Sequence, residues 1–359
     1  MSVIGVPMLL APVFGPVLGG AIVDASSWRW IYINLPVGAA ALLAAQRLLP
    51  DAQPQLGQRL DLRGLLLLSP GIALFLYGMA EAGNTGGFTG VRTFTPTALG
   101  ATLVLLFVWH ALVRGRSALI DLSLLRRRAF AAAAATNFLL PIALFGTLIL
   151  LPLYYQVVRE QSPVEVGLLL IPQGIGAALA MPLAGRLTDK LGARVVVTVG
   201  LLVALVGTLA YTSVGADTTY LYLAAALFVL GLGIGSTIIP SMAAAFQTLT
   251  REETPRATSA LHAIQRIAGA VGTAAMAIVL QHEIAAKLPE LDGGIAGLAH
   301  LSAQQRAAVT PALADAFATT FWVAVALIAL ALVPAVVLPH LRRREQASGA
   351  AHTTGAAAH

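Results

Sequence analysis

Polar side chains inside long apolar runs are the residues of this sequence best placed to do chemistry. His262 and Arg266 lie four residues apart within the apolar stretch 257–280, so they share one face of a helix. A charge at membrane depth is costly, and residues of this kind usually serve a function. The pair predicts a cavity in which Arg266 meets a substrate or a carboxylate. The alternative is an arginine that extends to the nearby membrane surface.

Three amide side chains are further candidates for the wall of such a cavity. Gln173 lies between Pro172 and Gly174, a break that predicts a discontinuous helix at a binding cavity. Asn34 and Asn137 each lie a few residues before a proline within an apolar run. For all three, the alternative is a hydrogen bond between packed helices.

Tyr154 and Gln156 lie near the end of another apolar run. Aromatic rings attract cations, so these residues are candidates for a wall that receives lipophilic cations. The alternative is an aromatic belt at the membrane surface, which is common for tyrosine.

The residue types needed for other chemistry are missing or badly placed. Asp24, Glu81 and Asp315 fall at the ends of apolar runs, which leaves no well-placed carboxylate within one. The chain has no cysteine, which excludes disulfides and thiolate metal sites. It also lacks the nucleophile elbow, the zinc helix and the phosphate-binding loop of common enzymes. We therefore expect no enzyme activity, no cofactor and no metal site.

The composition predicts an all-α polytopic membrane protein. The chain has 359 residues, of which 58% are hydrophobic and 11% charged, with a mean hydropathy of +0.82. Soluble domains are about 25% charged. Windows of about 19 residues predict about ten transmembrane helices at 3–23, 28–49, 62–81, 95–113, 130–157, 164–186, 193–213, 219–246, 257–280 and 315–338.

The basic residues predict the orientation of these helices. If the loops alternate between the two sides, 17 of the 22 Lys and Arg residues fall on one side and the other five on the opposite side. Basic loops stay in the cytoplasm, so both termini are predicted to be cytoplasmic. The net charge of +6 therefore comes from basic residues in short loops that set the topology in the lipid bilayer, and no nucleic-acid partner is expected.

Small residues and a proline crowd together near the start of the chain. Gly15, Pro16, Gly19 and Gly20 lie in the apolar run that ends before Asp24. In lipid, small residues let helix backbones approach closely. On spacing alone, the stretch predicts a tight helix contact with no further role.

The residues that follow give this stretch a second interpretation. Gly15-Pro-x-x-Gly-Gly20, then Trp28-Arg-Trp30 and Asn34-x-Pro-x-Gly38, closely resemble the antiporter motif in the fifth span, and the start of the sixth, of major facilitator drug:proton antiporters. The fourteen-span multidrug efflux branch is the most similar. In that family the motif would provide a bend and a bare backbone surface where the two helix bundles seal.

A second match lies in a short loop. Gly185-Arg-Leu-Thr-Asp-Lys-Leu-Gly-Ala-Arg194 resembles the cytoplasmic loop motif of the same superfamily. Glycines can adopt the left-handed conformations that end and restart helices, and an Asp can cap the next helix. The alternative is a basic turn that only sets topology. The matched positions are Gly185, Leu187, Asp189, Lys190, Gly192 and Arg194.

The resemblance implies a major facilitator fold that begins at the family's fifth span, so that the first four are missing. It implies the last two helices of the N-terminal bundle at 1–50, an extra central pair at 51–128, a C-terminal six-helix bundle at 129–340 and a disordered cytoplasmic tail at 341–359. The implied activity is proton-coupled efflux of small lipophilic or cationic substrates across the inner (plasma) membrane. The alternatives are a non-transporting remnant, an assembly partner or a membrane sensor.

Overall fold

The computed structural model describes residues 15, 18–22, 28–48, 61–85, 87–88, 90–115, 118–120, 122–246, 249, 253–291, 295, 297–298 and 301–338. The regular structure of these residues is helical, without a strand. The α-helices are α1 (Asn34–Leu48), α2 (Leu62–Thr85), α3 (Val91–Arg114), α4 (Arg128–Val157), α5 (Pro163–Leu169), α6 (Ile171–Leu191), α7 (Ala193–Leu209), α8 (Tyr220–Phe246), α9 (Thr254–Lys287) and α10 (Ala303–Val336). Short 3-10 helices cover Trp28–Ile33, Leu122–Arg126 and Ala210–Ser213.

Eight helical segments of the described chain are long and apolar enough to cross a membrane. They correspond to the last eight predicted spans, and they confirm an all-α polytopic membrane protein. One of them is built from α5 and α6, which are separated at Leu170. This break lies where Pro172 follows, as the sequence predicts, because proline cannot donate the hydrogen bond that would continue a helix.

The first two predicted spans are not among these eight segments. The first, at 3–23, lies mostly outside the described residues. The second, at 28–49, consists of a 3-10 helix and the 15-residue helix α1. Fifteen α-helical residues rise about 22 Å, which is short of the roughly 30 Å hydrocarbon core. This segment therefore reaches spanning length only together with its 3-10 turn.

Helix α10 begins at Ala303, whereas the sequence predicted a span that starts at 315. Ser302 caps the helix, and it exchanges hydrogen bonds with Gln305 in a capping box. The polar residues Gln304 to Arg306 lower the hydropathy of this first turn, which is why a hydropathy window misses it. The predicted long loop at 281–314 is shorter as a result, since α9 also extends to Lys287.

Glycines set the closest contacts between helices. A Cβ atom at Gly231 of α8 would overlap the backbone of Gln173 in α6, and one at Gly233 would overlap Ala204 in α7. Helix α8 therefore lies between α6 and α7 with its backbone directly against both. On α9, a Cβ atom at Gly272 would overlap the carbonyl oxygen of Ile142 in α4.

Helices α2 and α3 form a hairpin that packs on the rest of the described chain mainly through α9. At one end, Gly83 approaches the backbone of Ala274 on α9. At the other end, the apolar cluster of Phe107, Ala118 and their neighbours includes Ala260 of α9. Helix α9 therefore contacts α4 on one side and the α2–α3 hairpin on another.

Candidate functional site

The close contact between α4 and α9 builds a polar network inside the bundle. Asn137 of α4 is buried, with an exposed fraction of 2%. Its Oδ1 accepts hydrogen bonds from Gln265 Nε2 at 2.8 Å and from Ser241 Oγ at 3.3 Å, while its Nδ2 donates to the carbonyl oxygen of Ala133 at 2.8 Å. One side chain thus connects α4, α8 and α9.

A cavity of about 260 Å³ lies next to this network. Three of the predicted cavity residues, Asn137, His262 and Arg266, belong to its wall, and Gln265 joins them. The complete lining consists of Asn137, Leu140, Pro141, Leu144, Phe145, Ile238, His262, Gln265 and Arg266. The wall is therefore mostly apolar, with its polar groups drawn from α4 and α9.

His262 and Arg266 lie on one face of α9, as their spacing predicted. Both are exposed, and within the described part of the chain no hydrogen bond or ion pair involves either side chain. Arg266 thus presents its charge to the cavity without a carboxylate from the described residues. A positive charge beside an apolar wall favours a ligand that carries both an apolar body and an electron-rich group.

Four predicted cavity residues lie elsewhere. Asn34 and Gln156 are exposed, and Gln173 is half-buried on α6 with its backbone against Gly231. Tyr154 is completely buried, and its hydroxyl donates to the carbonyl oxygen of Gly215 at 2.8 Å. These residues do not line the cavity described above, so they do not form one site with His262 and Arg266.

Tyr154 belongs to an aromatic core. Its ring makes edge contacts with Tyr155 and Phe317, and Tyr155 reaches Tyr211, whose hydroxyl donates to the carbonyl oxygen of Leu223 at 3.0 Å. Both interpretations offered for Tyr154, an aromatic wall and an interfacial belt, are therefore wrong. Buried tyrosine hydroxyls need partners, and here the loop carbonyl at Gly215 provides one.

The glycines near the start of the chain differ in their surroundings. A Cβ atom at Gly20 would overlap the carbonyl group of Pro163 at the start of α5, whereas Gly15 and Gly19 have open space at that position. Pro16 lies outside the described residues. The close contact predicted for this stretch is therefore present at Gly20.

The loop motif joins α6 to α7 through one glycine. Gly192 has φ = 90°, and its amide donates to the carbonyl oxygen of Thr188 at 3.0 Å, so it ends α6 and precedes α7. Gly185 lies inside α6 and does not adopt the left-handed conformation that a glycine there would allow. Asp189 is exposed in the last turn of α6 and does not cap α7, where no side-chain cap is formed.

A buried carboxylate that the sequence analysis missed holds one end of the α2–α3 hairpin. Asp61 has an exposed fraction of 3%. It accepts hydrogen bonds from the Gly64 amide at 3.1 Å, from His110 Nε2 at 3.0 Å, from Arg114 at 3.0 Å and from the Leu119 amide at 3.2 Å. An Asp three residues before Gly64 at the start of an apolar run is an N-cap pattern, which is the signal that could have identified it.

The protonation of Asp61 follows from these contacts. Burial favours the neutral acid, but the hydrogen bonds from Gly64, His110 and Leu119 favour the carboxylate and outweigh burial. The pKa of Asp61 is therefore lowered from its ordinary value of 3.8. At neutral pH this site holds a negative charge next to Arg114.

A membrane-spanning helix bundle with a polar network and an adjoining cavity is compatible with a membrane transport protein. A family model described as Major Facilitator Superfamily matches residues 1–273. The chain belongs to this superfamily, and it is a multi-pass membrane transporter, not an enzyme.

Several relatives carry names that refer to drug resistance. The chain is 38% identical over 368 residues to a "Multidrug resistance protein B homolog" of Mycobacterium tuberculosis, which covers 97% of this chain and 67% of the relative. It is 31% identical to "Multidrug resistance protein Stp" of the same species, over 78% of this chain and 52% of that protein. It is 28% identical to "Lincomycin resistance protein LmrB" of Listeria monocytogenes, over 76% and 58%. The matched region is thus between half and two thirds of each relative.

Proposed function

We propose that this protein exports small lipophilic compounds, drugs among them, across the cell membrane in exchange for protons. The observation that carries this proposal is the cavity of about 260 Å³ in the α4–α9 contact, with Asn137, His262, Gln265 and Arg266 in an otherwise apolar wall. Ligand pockets typically combine apolar walls with a few polar groups that orient the ligand. The names of the relatives support the same substrate class.

The positive charge in the cavity wall limits the class of substrate that we expect. Arg266 brings a guanidinium group to the wall, and the described lining residues include no carboxylate. A cationic substrate in this cavity would be repelled by Arg266, because like charges repel at close range. We therefore propose neutral or anionic lipophilic compounds as preferred substrates, a narrower class than the lipophilic or cationic compounds that the sequence suggested.

His262 is our candidate for the link to protons. Histidine side chains can take up and release a proton in the physiological pH range, and His262 is the histidine among the described lining residues. A proton that enters the cavity can thus alter how strongly an anionic substrate is held. The Gly15 to Gly20 stretch would act as the gate in this scheme, and the Gly185 to Arg194 loop as the turn about which the helices rock.

The proposed organisation follows the resemblance. Residues 1–50 would belong to the first bundle, 51–128 to an extra pair with its linkers, and 129–340 to the second bundle, with a tail at 341–359. Both termini would face the cytoplasm of a cell whose inner membrane holds the protein. The contact between Gly20 and Pro163 supports this arrangement, because it packs a residue of the proposed first bundle against a residue of the second.

The proposal is tested by efflux from cells that express the full chain. A lipophilic fluorescent anion and a matched cation are loaded, and their loss is followed with and without an uncoupler. We expect faster loss of the anion, inhibition by the uncoupler, and at least tenfold slower export by Arg266→Gln. His262→Gln should remove the pH dependence, whereas His282→Gln, an exposed histidine on the same helix, should not. Export that the uncoupler leaves unchanged would exclude proton coupling.

A further inference from the structure

The end of the α2–α3 hairpin that carries Asp61 also carries an open groove. Its volume is about 600 Å³, and it is lined by Leu62, Arg63, His110, Val113 and Arg114. This size lies within the range of about 300–1,000 Å³ that is usual for ligand pockets. Three of its five lining residues are basic, and they come from both helices of the hairpin.

The groove has a positive charge that the described residues do not neutralise. Asp61 binds Arg114 at 3.0 Å and His110 at 3.0 Å, so its single negative charge is shared between them. Arg63 is exposed, and no described carboxylate pairs with it. Arg63, Arg114 and Asp61 together therefore give the groove one net positive charge. Asp61 also fixes the direction of the Arg114 side chain, because the carboxylate is itself held by two backbone amides.

Apolar side chains border this charge on the outer surface of the hairpin. Leu62, Leu66, Trp109 and Val113 have exposed fractions of 61%, 71%, 67% and 74%. Side chains of this kind on a membrane-spanning hairpin face lipid tails, and tryptophan is typical of the level of the lipid headgroups. The basic groove thus opens where headgroups and acyl chains meet.

We propose that this groove is a binding site for the phosphate group of an anionic phospholipid, with Arg63 and Arg114 as its ligands and the exposed leucines, Val113 and Trp109 against the acyl chains. Basic pockets between membrane helices bind anionic headgroups in this way. A free phosphate ion would use the same arginines but would leave the apolar border without an occupant. The border is the reason to assign the site to a lipid.

The opposite end of the same hairpin provides an internal comparison. A groove of about 460 Å³ lies there, but its lining includes both Glu81 and Arg92. These opposite charges cancel, so this groove has no surplus charge to attract an anion. Arg92 is therefore a matched control, since it lies on the same helix as Arg114 in a groove of similar size.

The test is native mass spectrometry of the full chain in detergent, titrated separately with phosphatidylglycerol, phosphatidylcholine and inorganic phosphate. We expect phosphatidylglycerol to bind more tightly than phosphatidylcholine. Arg63→Gln should weaken phosphatidylglycerol binding about fivefold, the effect of one basic residue near an anionic membrane. Arg63→Lys should keep most of the affinity, and Arg92→Gln should leave it unchanged.

Three outcomes would overturn the proposal. Equal affinity for the two lipids would show that the charge of the headgroup is not recognised. Equal losses of phosphatidylglycerol affinity in Arg63→Gln and Arg92→Gln would show a general attraction of basic residues to anionic lipid. Displacement of the lipid by inorganic phosphate at similar concentration would assign the groove to a small anion. Arg63 is exposed and makes no described contact that the fold depends on, and circular dichroism of each variant checks that the helices are retained.

Discussion

Asn137 shows how one side chain can organise the interior of a membrane protein. It is buried, and it receives hydrogen bonds from Gln265 and Ser241 on two other helices. A donor that loses its acceptor in lipid has no water to replace it. The residue therefore stabilises the bundle and, at the same time, fixes the part of α9 that carries His262 and Arg266.

Replacing Asn137 by alanine should lower the free energy of unfolding by about 1–2 kcal/mol, because the Gln265 amide would lose its acceptor. Ser241 would keep its hydrogen bond to the carbonyl oxygen of Ile238. The measurement is thermal unfolding in detergent. Asn34→Ala is the control, since Asn34 is exposed on α1, and we expect less than about 0.5 kcal/mol there. Equal effects of the two substitutions would show that the network adds nothing to stability.

Asp61 should make stability depend on pH. Its pKa is lowered in the folded protein, so its contribution is complete above its ordinary value of 3.8 and is lost as the pH falls through the lowered folded value. Asp61→Asn should cost about 2–3 kcal/mol at neutral pH, because Arg114 loses its charged partner. The difference in the free energy of unfolding between the variant and the parent should become smaller as the pH falls into the acid range.

Melting temperatures of both proteins over a series of pH values test this expectation. Asp217→Asn serves as the control, because Asp217 is exposed in the loop between α7 and α8 and should show no such convergence. A lowered pKa would be contradicted if the melting temperatures of Asp61→Asn and the parent differed by the same amount at neutral and at acid pH.

At the scale of helices, the position of a glycine within its motif decides its role. Gly19 and Gly20 are neighbours in the same resemblance, yet only Gly20 faces the backbone at Pro163. Bare backbone surfaces allow helices to approach closely. The structure therefore separates the two glycines, which the sequence treats alike.

Gly20→Ala should impair export strongly or make the membrane leaky, because the added methyl group would overlap the Pro163 carbonyl and push the segment away from α5. Gly19→Ala should leave export within about twofold of the parent, since open space surrounds its Cβ position. Dye efflux, normalised to the amount of protein in the membrane, gives the comparison. Equal export by both variants would mean that the contact does not act as a gate.

Across the whole molecule, the ion pairs between helix ends join residues that are predicted to lie on the same side of the membrane. Arg127 binds Glu253 through two hydrogen bonds of 3.0 Å and 2.8 Å, joining the starts of α4 and α9. At the other end, Arg306 lies 3.7 Å from Glu160, and Lys287 binds Asp315. The alternation of loops that the basic residues predicted is thus consistent with the packing.

The absence of native cysteine allows the orientation to be tested directly. Asp217→Cys should react with a membrane-impermeant maleimide in intact cells, because its loop is predicted to be outside. Lys190→Cys should react only after the cells are permeabilised. The reverse pattern would invert the orientation, and labelling of both positions in intact cells would contradict the predicted loop alternation.

Long apolar runs made the fold predictable, because spanning the bilayer requires about 20 such residues. The start of α10 was missed since Gln304 to Arg306 are polar and are held in the helix by a cap. For the cavity, the sequence identified Asn137, His262 and Arg266 as polar groups in apolar runs. It could not exclude Tyr154, because hydropathy does not show which face of a helix meets the core. Asp61 was missed because most of its partners lie far away in the chain.

The order of these partners along the chain has a consequence for biosynthesis. Asp61 receives its hydrogen bonds from Gly64, then from His110 and Arg114, and last from Leu119. Chains fold from their N-terminus as they emerge from the ribosome, and membrane helices insert before they pack. The α2–α3 hairpin can therefore close around its carboxylate while α4 is still being translated. By the time α9 is inserted, the surface on which it docks is already assembled.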